Sequence, residues 1–308
     1  MKLVVTGGCG FIGSHFVDYV SQFDHEITII DDLSSGKKEN IESSEKLENV
    51  QLFVEDIQSF EKLETIINKA DAIIHFAALT GVIQSLEKPK EFAAVNVLGT
   101  LNLLEICRKK NIPKFVFAST GAVYGNQSPP FSEEMGTNPI SPYAASKIAA
   151  ENFCLAYNNT FDISCSILRF SNVFGPRKSF GPYANVIPKF VRSNLRDEPI
   201  TIFGDGNQER DFVYVKDIAK ACFLATTKDN DGIFNIATGT NTSLNDLISE
   251  LEVLLDQKFN KKYVDARKGE SKYAYSSIEK AKNTFSYNPE YSLKQGLIEY
   301  IEYEKKLL

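Results

Sequence analysis

The fold is decided by Thr6-Gly7-Gly8-Cys9-Gly10-Phe11-Ile12-Gly13, a glycine-rich stretch near the start of the chain. An apolar run over residues 2–6 leads into it, and a helical pattern of apolar residues follows through Val20. A strand, a glycine loop and a helix in this order form the dinucleotide-binding fingerprint. The missing side chains let the backbone approach a pyrophosphate, which sits at the helix N-terminus. The stretch predicts a dinucleotide site that includes Gly7, Gly10, Phe11, Ile12 and Gly13.

A second apolar run, residues 26–30, ends at Asp31-Asp32. Asp31 follows Gly13 by 18 residues, where an acidic residue is expected to bind the ribose hydroxyls of the adenosine. A carboxylate at this position would repel the extra phosphate of NADP. The sequence therefore predicts NAD as the cofactor.

The alternation of strands and helices continues beyond this unit. Apolar runs predict strands over residues 50–54, 72–76, 114–119 and 163–170, and helical patterns cover residues 60–69, 89–110 and 143–158. Such units imply a Rossmann-type, doubly wound parallel sheet of the α/β class, with ligands beyond the carboxyl ends of its strands. That rule gathers the residues that follow the strands on one rim: the glycine loop, Asp31, Asp56, Ala77, Ser119, Thr120 and Asn172.

After residue 170 the alternation of predicted strands and helices becomes less regular, and turn residues become more frequent. We expect two domains. The NAD-binding domain comprises residues 1–171 and about 211–236, and a smaller α+β substrate domain comprises about 172–210 and 237–308.

Tyr143 and Lys147 are the candidate catalytic pair. Four residues apart, they lie about one turn apart on the same face of a helix that begins near Pro142. A free phenol has a pKa of about 10, and a nearby ammonium favours the phenolate. We expect Lys147 to lower the pKa of Tyr143, so that the pair exchanges a proton with a substrate hydroxyl. The alternative is an ordinary solvated helix start.

Composition excludes several other classes of function. The 308 residues carry a net charge of −6 without a strongly basic block, which argues against a nucleic-acid partner. No apolar run reaches the roughly 20 residues that span a bilayer, and the chain opens on a strand without a signal peptide. We therefore expect a cytoplasmic protein without a membrane partner. The five cysteines and three histidines are scattered, so we expect no metal site.

Beyond these patterns, the sequence resembles the nucleotide-sugar epimerases of the extended short-chain dehydrogenase/reductase family, and most closely their UDP-glucose 4-epimerase branch. The resemblance covers essentially the whole chain. Its marks are the glycine loop, Asp31 to Gly36, Val95 to Thr100, Ser119 to Gly125, Tyr143 with Lys147, Arg169 to Pro176, and Arg210 to Asp217.

The resemblance implies further cofactor-binding residues beside the glycine loop and Asp31. They are Asp32, Ser34, Ser35, Gly36, Asp56, Ile57, Phe76, Ala77, Ala78, Asn96, Ser119, Tyr143 and Lys147. It also implies that Thr120 joins Tyr143 and Lys147 in catalysis, by hydrogen-bonding the reacting sugar oxygen and relaying its proton.

A UDP-sugar is the implied substrate. The residues that would bind it are Thr120, Tyr143, Asn172, Asn185, Val186, Thr201, Ile202, Phe203, Arg210, Arg267, Glu270 and Ala274. Ala274 stands where the family borders the C2 substituent of the sugar. Since alanine is small, we expect N-acetylated sugars to be tolerated there.

The implied reaction is NAD-dependent epimerisation at C4 of a UDP-hexose, such as UDP-glucose or UDP-galactose, through transient oxidation to a 4-keto sugar. Relatives that eliminate water or carbon dioxide carry acidic residues at the positions of Gly121 and Ala122, and neither residue here can act as an acid or a base. The alternatives are another nucleotide-sugar epimerase, such as a UDP-glucuronate 4-epimerase, a reductase, or a non-catalytic NAD-sensing protein. By analogy with relatives we expect a homodimer through helices 90–110 and 143–158.

Overall fold

Strands and helices alternate through the first two thirds of the chain in a computed structural model, which describes residues 1–178, 185–228, 230–266 and 273–307. The strands are β1 (Lys2–Thr6), β2 (Glu26–Asp31), β3 (Val50–Val54), β4 (Ala72–His75), β5 (Lys114–Thr120), β6 (Ser164–Phe170), β7 (Asn172–Phe174), β8 (Ile200–Phe203), β9 (Glu209–Arg210), β10 (Phe212–Tyr214), β11 (Gly232–Ile236), β12 (Thr242–Ser243), β13 (Lys261–Val264) and β14 (Tyr273–Ala274). The helices are α1 (Phe11–Val20), α2 (Glu42–Glu45), α3 (Phe60–Ile66), α4 (Val82–Glu87), α5 (Pro89–Ala93), α6 (Thr100–Lys110), α7 (Pro142–Thr160), α8 (Val186–Leu195), α9 (Val215–Thr227), α10 (Leu244–Leu255), α11 (Glu279–Phe285) and α12 (Leu293–Lys305).

A seven-stranded parallel sheet forms the centre of the molecule, in the order β3-β2-β1-β4-β5-β6-β11. Successive side chains of a strand point to opposite faces of the sheet. Accordingly, Val5 packs into one apolar cluster with Phe16 and Cys222, whereas Val4 packs into another with Leu104. Helices cover both faces, which confirms the predicted fold class.

The chain order reverses at β1, which lies between β2 and β4. In sheets of this kind the ligand crevice opens at such a switch point, outside the carboxyl ends of the strands. The glycine loop follows β1 and residues 76–79 follow β4, so both segments border the crevice.

The helix predicted over residues 89–110 differs from the prediction. It is divided into α5 and α6 by a π-helical turn, Ala94–Gly99. A π-turn inserts one residue into the helical ladder, and a pattern based on 3.6 residues per turn does not reveal it. Gly99 is the last residue of this turn, and a Cβ there would lie 2.5 Å from Cδ1 of Ile57.

The second half adds small sheets around the open rim. β7 pairs with β10, β8 pairs with β13, and β9 lies between β12 and β14. Helix α9 returns to pack against α1, and β11 extends the central sheet beside β6. This connectivity is consistent with the predicted discontinuous second domain, whose exact boundaries remain a prediction. Within the described ranges, no helix combines the length and apolar character needed to cross a membrane.

Candidate active site

The glycine loop is packed too closely to hold side chains. Gly7 has a φ of +69°, and a Cβ on it would lie 2.6 Å from the backbone nitrogen of Ala77. A Cβ on Gly13 would lie 2.1 Å from the carbonyl oxygen of Gly7. The loop thus forms a side-chain-free cradle at the N-terminus of α1, whose cap is Gly10. This geometry fits a dinucleotide pyrophosphate.

Asp31 ends β2 beside this cradle and is buried. Its Oδ2 accepts a hydrogen bond from the backbone N–H of Cys9 and its Oδ1 accepts one from Leu33, both at 2.9 Å. Burial raises the pKa of the Asp31 carboxyl, while the two N–H donors act in the opposite direction. The carboxylate therefore holds the glycine loop and the following loop together at the predicted ribose position.

The loop after β2 carries the next predicted residues. The Asp32 carboxylate accepts hydrogen bonds from the backbone N–H and the hydroxyl of Ser34, and Asp32, Ser34 and Ser35 are exposed. Gly36 is buried, and a Cβ on it would lie 2.9 Å from Oδ1 of Asp31. The structure thus brings the loop over the glycine cradle, as the motif predicted.

The ends of β3 and β4 supply the other side of the crevice. Asp56 is half-buried after β3 and accepts a hydrogen bond from the backbone N–H of Gln58 at 2.8 Å. Phe76, Ala77 and Ala78 are half-buried after β4. The side chain of Ile57 is buried in the core, so the predicted contact of Ile57 with the cofactor would use its backbone and stays a prediction.

Asn96 lies inside the π-turn and is buried. Its side-chain amide exchanges two hydrogen bonds with the backbone of Leu79 and donates a third to the hydroxyl of Ser146 on α7. Its described contacts therefore join the β4 exit to the catalytic helix. A direct contact of Asn96 with the cofactor remains a prediction.

Tyr143 and Lys147 occupy the first two turns of α7, as predicted. Ser141 caps the helix by accepting a hydrogen bond from the backbone N–H of Ala144 at 3.1 Å. Thr120 ends β5, and its hydroxyl lies near enough to the phenol of Tyr143 to lower the pKa of that phenol. The structure thus places Thr120 beside Tyr143.

The predicted lowering of the Tyr143 pKa by Lys147 stays a prediction, because Lys147 is not among the groups that shift this pKa in the structure. Burial raises the pKa of Tyr143, and the opposing influence is the nearby hydroxyl of Thr120. Lys147 is itself buried, with Nζ 4.3 Å from the ring centroid of Phe117. Burial lowers its pKa to about 8, against the opposing effects of Cys154 and Glu151. Desolvation is therefore the largest influence on the pKa of each residue, and it disfavours the charged form of both.

The hydroxyl of Ser119 donates to the carboxylate of Glu151 on α7, and a contact of Ser119 with the cofactor remains a prediction. Glu151 in turn accepts two hydrogen bonds from Arg169, at 2.7 and 3.0 Å, and both of these side chains are only 3% exposed. The sequence analysis missed this buried ion pair. An arginine inside an apolar strand, and a glutamate four residues after Lys147, were the available signals.

A cavity of about 200 Å³ opens beyond Thr120. It brings together four residues predicted to bind substrate, namely Thr120, Asn172, Arg210 and Ala274. Gly121 and Ala122 form part of its wall. The remaining lining residues are Gly125, Phe131, Phe170, Ser171 and Ser276.

Long-range pairing assembles this wall. Arg210 is in parallel register with Ala274, on the neighbouring strands β9 and β14. The backbone N–H of Phe131 donates to the carbonyl of Tyr275 at 2.9 Å, which brings Phe131 beside Ser276. The sequence analysis missed Phe131 and Ser276, because such pairing leaves no local pattern in the sequence.

Five other residues predicted to bind the substrate are not among the described residues that line this cavity. Asn185 is exposed at the start of α8, and Val186 is half-buried behind it. On β8, Thr201 is exposed and Phe203 is half-buried. The side chain of Ile202 is buried in the core, so the predicted contact of Ile202 with the substrate would use its backbone and stays a prediction. Arg267 and Glu270 lie outside the described residues.

Comparisons with known proteins place this site in a family. Residues 3–237 match the NAD dependent epimerase/dehydratase family. A UDP-glucose 4-epimerase from Mycolicibacterium smegmatis is 34% identical over 309 aligned positions, covering 98% of each chain.

Two solved structures have the same fold over the full length of this chain. The UDP-N-acetylglucosamine 4-epimerase of Methanobrevibacter ruminantium M1, in complex with UDP-N-acetylmuramic acid, has a TM-score of 0.96 and 37% identity, covering 100% of this chain and 99% of that one. The UDP-glucuronic acid 4-epimerase of Bacillus cereus, with UDP-glucuronic acid and NAD, has a TM-score of 0.93 and 32% identity, and the match covers 100% of both chains.

These matches confirm the resemblance drawn from the motifs and the prediction of NAD as cofactor. The cradle formed by the glycine loop and Asp31 fits that cofactor. The chain is an enzyme of the NAD-dependent epimerase/dehydratase family, within the extended short-chain dehydrogenases/reductases.

Proposed function

We propose that the protein epimerises C4 of a UDP-hexose, and that UDP-glucose and UDP-galactose are interconverted. One observation carries the proposal. Thr120, whose hydroxyl lies beside the Tyr143 phenol, lines a cavity whose wall also holds Arg210. A group that can exchange a proton with a sugar hydroxyl thus lies near a cation suited to a phosphate.

The proton chemistry follows from Tyr143, Thr120 and Lys147. The 4-hydroxyl loses its proton to the Tyr143 phenolate, either directly or through the Thr120 hydroxyl, and regains it from the Tyr143 phenol when the sugar is reduced again. Lys147 has a pKa of about 8, so its ammonium is mostly charged at neutral pH and favours the phenolate when it forms. NAD, held by the glycine cradle and Asp31, supplies the reversible hydride transfer.

The two ends of the substrate are held differently. Arg210 and Asn172 present a guanidinium and an amide, which suit the diphosphate. Around the sugar the wall is built from small residues, including Gly121, Ala122 and Ala274. Strong remote binding with few contacts to the ring would let the sugar turn over while the nucleotide stays anchored.

The wall also argues against elimination. Gly121 and Ala122 border the cavity beside Thr120 and offer neither an acid nor a base. Oxidation followed by reduction at the same carbon needs no further proton donor, so it suits these residues better than dehydration does.

We further propose that N-acetylhexosamines are accepted. Ala274 lines the cavity and packs beside the cluster of Val123, Tyr124 and Phe131. A side chain of one methyl group at this position leaves room for an acetamido substituent. The Methanobrevibacter ruminantium relative, named a UDP-N-acetylglucosamine 4-epimerase, is compatible with this proposal.

The test is a screen of UDP-sugars with product identification and no added reductant. UDP-galactose, UDP-N-acetylgalactosamine and UDP-glucuronate are incubated separately with the protein and with Tyr143→Phe as the matched control. We expect the C4 epimers of the first two, and a loss of about 10²- to 10⁴-fold in rate for the control. Turnover of UDP-glucuronate alone would assign the protein to the other epimerase class, and net consumption of NAD would indicate a dehydrogenase. Absence of turnover with every sugar would favour an NAD-binding protein.

We also propose that the protein is a homodimer through the helices around α7. Large apolar side chains are exposed on this surface, including Leu86, Leu98 and Phe153. A contiguous exposed apolar surface is typical of an interface. Light scattering should give twice the 34.4 kDa mass of one chain, and a mass of one chain at micromolar concentration would contradict the dimer.

A further inference from the structure

Asp211 follows Arg210 in the chain and is fully buried. Its Oδ1 accepts hydrogen bonds from the backbone N–H of Thr238 at 2.8 Å and from the Thr238 hydroxyl at 2.7 Å. Its Oδ2 accepts one from the backbone N–H of Gly239 at 2.9 Å. The nearby backbone N–H of Ser276, a residue of the cavity wall, lowers the pKa of the same carboxyl. The side chain thus binds the turn after β11 and faces a residue of the cavity wall.

The main chain of the same residue connects two other parts of the wall. The carbonyl oxygen of Asp211 accepts hydrogen bonds from the backbone N–H of Asn172 at 3.0 Å and from the Ser171 hydroxyl at 2.9 Å. Its N–H donates to the carbonyl of Ala274 at 3.1 Å. Asp211 therefore joins the segments that carry Asn172, Arg210 and Ala274.

We propose that Asp211 is a positioning residue that sets the geometry of the diphosphate-binding end of the cavity. The inference rests on the proposed UDP-sugar function. Asp211 acts through its neighbours, by fixing Arg210 and Asn172 relative to each other, and its own carboxylate is fully used by the protein.

The chemistry of the side chain explains why an aspartate is needed. All four groups that face the carboxylate are donors, and an ionised carboxylate only accepts. An asparagine has the same shape but would direct an NH₂ group at one or two of those donors, leaving buried N–H groups unpaired. Burial raises the pKa of Asp211 to about 6, and the donors oppose that rise, so the group is ionised at neutral pH.

Asp217 offers a matched control within the same sequence motif. It is buried, and its carboxylate accepts hydrogen bonds from the backbone N–H groups of Glu290 and Tyr291, at 2.8 and 3.2 Å. Neither partner lines the cavity. Asp217→Asn therefore removes the same kind of interaction at a site away from the proposed diphosphate.

The experiment measures UDP affinity by calorimetry, and kcat and KM for UDP-galactose, in the wild type, Asp211→Asn and Asp217→Asn. The free energy lost to an unpaired buried donor corresponds to a weakening of UDP binding by about ten- to a hundred-fold. We expect Asp211→Asn to weaken UDP binding and raise KM by that factor, with kcat within roughly threefold of the wild type. Asp217→Asn should lower the melting temperature yet leave UDP affinity and KM within about twofold.

If Asp211→Asn does not fold, UDP affinity is measured in Thr238→Val instead. It removes one donor to Asp211 and keeps the shape of the side chain, so UDP affinity should fall by roughly three- to tenfold. Wild-type UDP affinity in Asp211→Asn, or in Thr238→Val where only that variant folds, would overturn the inference. Equal loss of affinity in Asp211→Asn and Asp217→Asn would overturn it too, since the effect would then be general destabilisation. A wild-type protein that binds no UDP would remove the proposed function and the inference with it, whereas failure of the inference alone leaves wild-type binding intact.

Discussion

Substitution of Gly13 by alanine tests the dinucleotide cradle in a way that can be worked out from the structure. The new Cβ would lie 2.1 Å from the carbonyl oxygen of Gly7, which is 1.3 Å short of the 3.4 Å at which ordinary contact begins. The obstacle is backbone, so it cannot rotate away as a side chain would. Either the loop or the start of α1 must move by about 1 Å.

The cost of that movement should appear in cofactor binding. Overpacking of this kind costs about 1–3 kcal/mol, and a pyrophosphate cradle displaced by a similar distance loses aligned N–H donors. We expect the affinity of Gly13→Ala for NAD to fall by roughly 10- to 100-fold, where each 1.4 kcal/mol is a factor of ten. Calorimetry with NAD, after removal of any bound nucleotide, gives the value directly.

Alanine substitutions at two other glycines provide comparisons for Gly13→Ala. A Cβ on Gly10 would lie 3.1 Å from the same carbonyl oxygen, so Gly10→Ala should weaken NAD binding by less than Gly13→Ala. A Cβ on Gly136 would have no heavy atom within 4 Å, so Gly136→Ala should leave the affinity unchanged. Wild-type NAD affinity in Gly13→Ala, or an equal loss in all three variants, would refute the steric reasoning.

Three further predictions concern catalysis, specificity and stability. Thr120→Val should lower kcat by roughly tenfold or more, whereas Thr120→Ser, which keeps the hydroxyl, should retain most of the wild-type kcat. Equal rates in the two variants would exclude a role for the hydroxyl. Ala274→Tyr should lower kcat/KM for UDP-N-acetylgalactosamine by roughly tenfold or more relative to UDP-galactose, and full activity on the N-acetylated sugar would argue against the assigned pocket. Burial raises the pKa of Glu252, but hydrogen bonds from Lys258, Lys261 and a backbone N–H bring it down to about 2. A lowered carboxyl pKa contributes stability that is complete above the unfolded pKa of about 4.3 and is lost as pH falls towards 2. The free energy of unfolding should therefore decrease over that range, and less so in Glu252→Gln, whereas the exposed Glu91→Gln should follow the wild type.

Local features of the chain could be predicted from the sequence because local physics determines them. The glycine loop occurs where the backbone leaves no room for side chains. Asp31 occurs where a buried strand ends. The type of residue indicates each of these conditions. The spacing of Tyr143 and Lys147 likewise fixes their common helix face. These features required no knowledge of distant partners.

What could not be predicted depends on distant contacts. The hydroxyl of Ser119 donates to Glu151, a partner 32 positions along the chain that no local pattern reveals. The pKa of Tyr143 was expected to be low, but burial raises it. The spacing of residues in the sequence does not reveal this burial. Phe131 reaches the cavity only because its backbone pairs with Tyr275.

The central claim is that one carbon of a nucleotide-linked sugar is oxidised and reduced again in the same site. Proton NMR of UDP-galactose incubated with the protein in D₂O tests it most directly. The account predicts that UDP-glucose accumulates with its C4 proton retained and without solvent deuterium at C4 or C5, because the hydride leaves and returns within the site. Deuterium at either carbon, or no change at C4, would contradict the account.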